Sequence, residues 1–105
     1  MPFQNHGNRA FTWISIDKNA PPVSGVYGLS NARQWIYVGQ SANIQGELRR
    51  LLQEPDEFLR NHAPTGFTFE VCASEYRIER QNQLVFELEP IGNRLAREAT
   101  PELAG

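Results

Sequence analysis

The chain has 105 residues, 40% apolar and 21% charged, with a formal net charge of −2 and one cysteine. That length holds a single small domain with one core, and the near-neutral charge argues against a strongly basic nucleic-acid binder. Cys72 alone excludes an internal disulfide and fits a reducing cytoplasm; no run of about 18 apolar residues offers a membrane span, and no basic segment followed by an apolar run marks a secretory signal.

The kind of charge says more than its sum. Lys18 is the only lysine among ten basic residues. Arginine favours planar, bidentate contact with phosphate or carboxylate, although a bias in the source genome gives the same count.

Residues 1–10 read as a loose polar leader containing His6. Phe11-Thr12-Trp13-Ile14-Ser15-Ile16 is rich in β-branched and aromatic residues, which predicts a strand at one edge of a sheet. A loop with Asn19 and Pro21-Pro22 follows. Gly25-Val26-Tyr27-Gly28-Leu29-Ser30 and Gln34-Trp35-Ile36-Tyr37-Val38-Gly39 then flank the polar turn Asn31-Ala32-Arg33, the pattern of a β-hairpin. If Ser30 pairs with Gln34, Tyr27 falls opposite Tyr37, with Cβ atoms roughly 5 Å apart on one face. Glycine beside each tyrosine leaves bare backbone that another group can approach closely.

Ser41 or Asn43 can cap the next helix, whose buried stripe is Ile44, Leu48, Leu51 and Leu52. Pro55 punctuates it, residues 56–61 suggest a short second helix, and Glu54-Pro55-Asp56-Glu57 reads as its solvated start. His62 falls in a loop with Pro64 and Gly66, without a second metal-type partner. Phe67 to Ala73 alternates as a strand with Phe67, Phe69 and Val71 inward, and Cys72 reads as a core residue. Ser74 opens a long helix to about Glu89, with Ile78, Leu84, Val85 and Leu88 as its apolar stripe. Residues 11–95 make the domain and 96–105 a tail. Strand, hairpin, helix, strand, helix predicts an α+β fold: a small, mainly antiparallel sheet of three core strands, plus an N-terminal edge strand, flanked by helices.

Gly25-Val26-Tyr27, then Tyr37-Val38-Gly39, then a helix, then Pro90-Ile91-Gly92-Asn93, resemble in order the motifs of the GIY-YIG nuclease superfamily over about residues 22–95. The resemblance implies a three-stranded antiparallel sheet with helices. It also implies a site made of the paired tyrosines, an arginine on the first helix and a metal-binding glutamate on the later helix. The tyrosines are Tyr27 and Tyr37. The arginine position, eight residues after Gly39, is Glu47, a carboxylate that repels phosphate. Arg50, at i+3, can reach the same region or pair with Glu47; Arg49 points elsewhere. The glutamate position, nine residues before Pro90, is Gln81, a polar residue within the apolar stripe and a poor ligand for a hard cation. Glu79 is two residues away, about 200° around the helix.

Both departures predict a nuclease-like domain with an inactivated centre, serving as a nucleic-acid-binding or assembly module without a cofactor. Tyr27, Tyr37, Glu47 and Arg50 are the remnant catalytic residues. Gly25, Gly39, Ser41, Asn43, Gln81, Asn93, Arg33 and Arg49 are the surrounding binding candidates, and no metal ligand is expected. For a DNA or other nucleic-acid partner the contacts are Arg33, Arg49, Arg50 and the tyrosine face; for a protein partner, an exposed edge of Trp35 and Phe11. Trp13 and Trp35 could stack on unpaired bases, although packing explains them more simply. The alternative is an active endonuclease using Mg2+ or Mn2+, with Glu47 on the metal and Arg50 on the phosphate.

Overall fold

The computed structural model describes residues 8–93; His6 and the tail 96–105 lie outside the described residues. A four-stranded sheet, entirely antiparallel, has the order β1-β4-β2-β3. The strands are β1 (Arg9–Ala10), β2 (Gly25–Ser30), β3 (Trp35–Ser41) and β4 (Gly66–Val71). The helices are α1 (Trp13–Asn19), α2 (Ile44–Gln53), α3 (Glu57–His62) and α4 (Arg77–Leu88), the last preceded by a 3-10 turn over Ser74–Tyr76. This is the expected α+β architecture. Among the described residues no helix is long and apolar enough to cross a membrane.

β2 is the central strand, buried along its whole length. One face of the sheet packs Tyr27, Leu29, Phe67 and Phe69 against Ile16 of α1 and Ile44, Leu48 and Leu51 of α2, the predicted stripe. The opposite face sets Val26 and Val38 against Leu84 of α4, with Trp35, Cys72, Val85 and Leu88 around them.

The predicted strand at 11–16 is instead the start of α1. Thr12 extends its backbone and accepts the Ser15 N–H through Oγ1 (3.2 Å), an N-cap that commits the following residues to a helix. Ile16 is the buried contact, while Ile14 faces solvent, so β-branched content is overridden by a cap and a single inward side chain. The edge strand does exist, two residues earlier, at Arg9–Ala10.

Two more apolar assignments shift. Val71 shares the parity of Phe67 and Phe69 but ends its strand beyond their cover, and is 53% exposed. Ile78 is 63% exposed, because polar residues occupy the start of α4's inward face. Arg80 pairs with Glu70 there (Nε to Oε2 2.8 Å, Nη2 to Oε1 2.9 Å), and Arg77 reaches Gln40 and Ser24. Both faces of the sheet are covered, so Glu70 on β4 is buried, and burying a carboxylate calls for a charged partner across from it. That requirement turns α4 away from its purely apolar arc.

Candidate functional site

The hairpin register differs from the simple expectation. Ser30 pairs with Trp35, Leu29 with Tyr37 and Tyr27 with Gly39, with a β-bulge where the register shifts next to Ser30. One extra residue on the bulged strand moves every later partner along. Tyr27 and Tyr37 are therefore diagonal neighbours, not directly opposed. Their ring centroids are 6.3 Å apart and tilted by 45°. The Tyr27 ring crosses Gly39, where a Cβ would run into its hydroxyl and into the Tyr37 ring. Gly39 is thus required by close packing of the tyrosine pair. Gly25 is hemmed in likewise, its missing Cβ facing the Glu70 carbonyl and the Ile44 side chain.

α2 brings Glu47 and Arg50 to the tyrosines. Asn43 caps this helix, Oδ1 accepting the Gly46 N–H at 2.9 Å, and the Ser41 hydroxyl braces Asn43 by accepting its N–H and donating to its carbonyl, each at 3.0 Å. Both of these binding candidates therefore serve the turn and cap. From the first turn of α2 Glu47 accepts a long hydrogen bond from the Tyr27 hydroxyl (3.4 Å). Arg50 grips Glu47 bidentately, Nε to Oε1 at 3.1 Å and Nη2 to Oε2 at 2.8 Å. Of the two possibilities left open for Arg50, the ion pair is the one formed.

These groups line a cavity of about 420 Å³ together with Leu51, Asp56, Phe58, Leu59 and Gly92. Burial, and then the Glu47 charge, push the Tyr27 phenol far above the usual phenol range. Tyr37 is raised by burial first, then by Glu47 and Asp56. Both phenols are therefore neutral at physiological pH. A phenol acting as a base needs a cation beside it, and the group hydrogen-bonded to Tyr27 is an anion.

Asp56, Phe58 and Gly92 were missed as site residues. Asp56 caps α3, Oδ1 accepting the Leu59 N–H at 2.9 Å, and the cap position turns its carboxylate into the cavity rather than leaving it a solvated helix start. The capping signature, an aspartate ahead of a short apolar helix, was readable; its direction depended on tertiary packing. Gly92 passes the Ile36 carbonyl and Phe58 ring so closely that a Cβ would come within 2.8 Å of each. His62, expected in a loop, ends α3 half-buried, its ring tilted against Phe58 (centroids 4.3 Å) and Nδ1 by the Phe58 carbonyl (3.1 Å).

Gln81 and Asn93 meet at the open edge of β3, apart from the residues that line the cavity. Asn93 accepts the Val38 N–H (2.8 Å) and donates to the Val38 carbonyl (2.9 Å), and Gln81 donates to that same carbonyl (3.2 Å). Their amides are committed to backbone. Arg49 is drawn to Asp17 of α1 (Nε to Oδ1 2.8 Å) with its guanidinium 5.8 Å from the centre of the Trp13 ring, and Arg33 sits exposed in the hairpin turn. Of the three arginine candidates only Arg50 reaches the tyrosine face; Arg33 and Arg49 do not join it there. The proposed Trp35–Phe11 edge does not form either: Phe11 is buried on the α2 side and Trp35 packs on the α4 side.

The fold is that of GIY-YIG endonuclease domains. The N-terminal GIY-YIG endonuclease domain of UvrC from Thermotoga maritima, bound to magnesium as its catalytic divalent cation, superposes with a TM-score of 0.61 at 23% identity, over 71% of this chain and 91% of that one. A form of that domain with an asparagine replaced by alanine gives 0.61 and 23%, and one with a tyrosine replaced by phenylalanine 0.60 and 22%, each covering 71% of this chain and 90% of that chain, and each bound to the cation. No family profile and no curated protein sequence matches the chain. The residues present do not fit a divalent cation. Among the described residues no three His, Cys, Asp or Glu side chains cluster to hold a metal, and the position that the resemblance gives to the metal-binding glutamate is Gln81, a neutral amide that donates to the Val38 carbonyl.

Proposed function

We propose that this chain is a non-cleaving relative of the GIY-YIG nucleases, a binding or assembly module whose catalytic centre has been converted into an internally neutralised pocket. The observation that carries this is the Tyr27–Glu47–Arg50 chain. Phosphodiester cleavage needs a group to neutralise the phosphate, a base for water and a stabiliser of the leaving oxygen. Here the cation nearest the phenols is held by a carboxylate, the phenols stay protonated, and the position of the family glutamate carries an amide bound to backbone. Losing one such stabiliser lowers rates by roughly 10² to 10³, and here several are absent together. Nucleic acid remains a partner class consistent with the fold; its contact would rest on the exposed Arg33 of the hairpin turn, outside the cavity, with binding that weakens steeply in salt.

A second reading has one observation in its favour: Glu47 and Asp56 line the same cavity, so a rearranged endonuclease could use both carboxylates. One assay separates the two. The pure protein is incubated with Mg2+ or Mn2+ and with supercoiled, branched and single-stranded DNA. No cleavage and no metal heat in calorimetry is the expected result. Cleavage abolished in Tyr27→Phe or Glu47→Ala would overturn the proposal in favour of the nuclease.

A further inference from the structure

We infer that the tyrosine cavity binds an organic cation, a guanidinium or alkylammonium group, in place of a phosphate. The inference rests on the reading that the centre does not cleave. Three features of the cavity carry it. Its walls include the rings of Tyr27, Tyr37 and Phe58, and aromatic faces attract a cation lying within about 6 Å of a ring centroid. Phe58 is itself backed by His62, 4.3 Å away between centroids, which holds the ring as a wall. Among the described residues its charged side chains are Glu47, Asp56 and Arg50, two acids to one base, and neither phenol adds charge near neutral pH. The cavity is thus net acidic, with an apolar floor of Leu51 and Leu59 suited to an alkyl stem.

Arg50 shows the recognition in place. Its guanidinium takes both oxygens of Glu47, yet its side chain is 56% exposed while that of Glu47 is 25% exposed. The carboxylate belongs to the cavity; the guanidinium reaches it from the solvent side. A pair of that exposure is held only weakly, so an incoming cation seated on the rings can take over Glu47 while Arg50 swings to water. Asp56 spends one oxygen on capping α3, and its other oxygen can receive a second N–H of a forked guanidinium.

The test is calorimetry and aromatic proton NMR of the whole chain with four probes: agmatine, N-acetylarginine amide, Mg2+ alone and inorganic phosphate. Both cationic probes are expected to bind and to shift the ring signals of Tyr27, Tyr37 and Phe58; the tighter of the two tells a free amine from a peptide side chain as the natural source. Glu47→Gln should weaken binding roughly tenfold, as expected for loss of one charged hydrogen-bond partner. Arg50→Ala should tighten it, by roughly threefold, by removing the internal competitor, a sign opposite to that of a merely damaged fold. Phosphate or Mg2+ binding without either cationic probe would overturn the inference, as would equal affinity in Glu47→Gln. The cleavage assay reads separately. A protein that binds agmatine and cuts DNA overturns only the non-cleaving reading; one that does neither overturns only this inference.

Discussion

Asn93 holds both backbone groups of Val38 with one side-chain amide, accepting the N–H at 2.8 Å and donating to the carbonyl at 2.9 Å. β3 is an outer strand of the sheet, so among the described residues these groups have no neighbouring strand on that side. The side chain stands in for the missing strand and closes the edge at the middle of the Tyr37-Val38-Gly39 motif.

Asn93→Ala should lower unfolding free energy by about 1–2 kcal/mol, since the Val38 N–H loses its acceptor. Gln81→Ala should cost less, because Asn93 still serves the carbonyl that Gln81 shares. Urea denaturation of the two variants ranks them. Equal losses would show that Gln81 contributes as much to the edge as Asn93 does.

Alkaline stability should report the buried phenol. The folded pKa of Tyr27 is raised above its unfolded value near 10. The stabilisation is thus fully present below pH 10 and is lost as pH climbs from there toward the folded value, because the unfolded chain releases the proton first. Melting temperatures between pH 8 and 11 should fall across the top of that range. Tyr27→Phe should flatten the fall while costing little at pH 7, as the hydrogen bond it removes is 3.4 Å long.

Glu47→Arg should turn the cavity toward phosphate. The substitution removes the acid facing Tyr27 and frees Arg50 from its bidentate pair. Single-stranded DNA should then bind more tightly, with a salt slope steeper by roughly one to two counterions. Filter binding or anisotropy across a salt series measures this. An unchanged slope would mean that the tyrosine face does not meet the backbone of nucleic acid.

Two inter-element ion pairs should differ sharply in worth. Arg80–Glu70 is shielded, with side chains 16% and 10% exposed, whereas Arg49–Asp17 stands at 39% and 41%. Arg80→Ala leaves a carboxylate buried without its bidentate partner and should cost about 3 kcal/mol. Arg49→Ala should cost at most about 1 kcal/mol. Denaturant midpoints for both variants check the ratio.

The hairpin, the α2 stripe and the place of Glu47 were legible because each follows from short-range periodicity. Ile44, Leu48 and Leu51 repeat at helical spacing, and Glu47 beside them had to look the same way. The tyrosine register was not legible, since a bulge carries no residue signature in Trp35-Ile36-Tyr37. Nor was the direction of Gln81. It sits as a polar residue inside an apolar arc, and the group its amide meets there is the Val38 carbonyl, shared with Asn93 and brought in from a distant part of the chain. The α1 error came from weighing β-branched content over the cap at Thr12. Asp56 was hidden for a similar reason: a capping residue has its backbone role written locally, while the side its free oxygen faces depends on what the sheet packs beneath it.

The two faces of the central strand divide the labour. Tyr27 and Leu29 look toward α2 and the cavity, while Val26 and the neighbouring Glu70 of β4 look toward α4. Chemistry can therefore be rewritten on one side without loosening the tie that holds the other. A scaffold built this way can take a change of charge at Glu47 while the Glu70–Arg80 anchor on the far face stays in place.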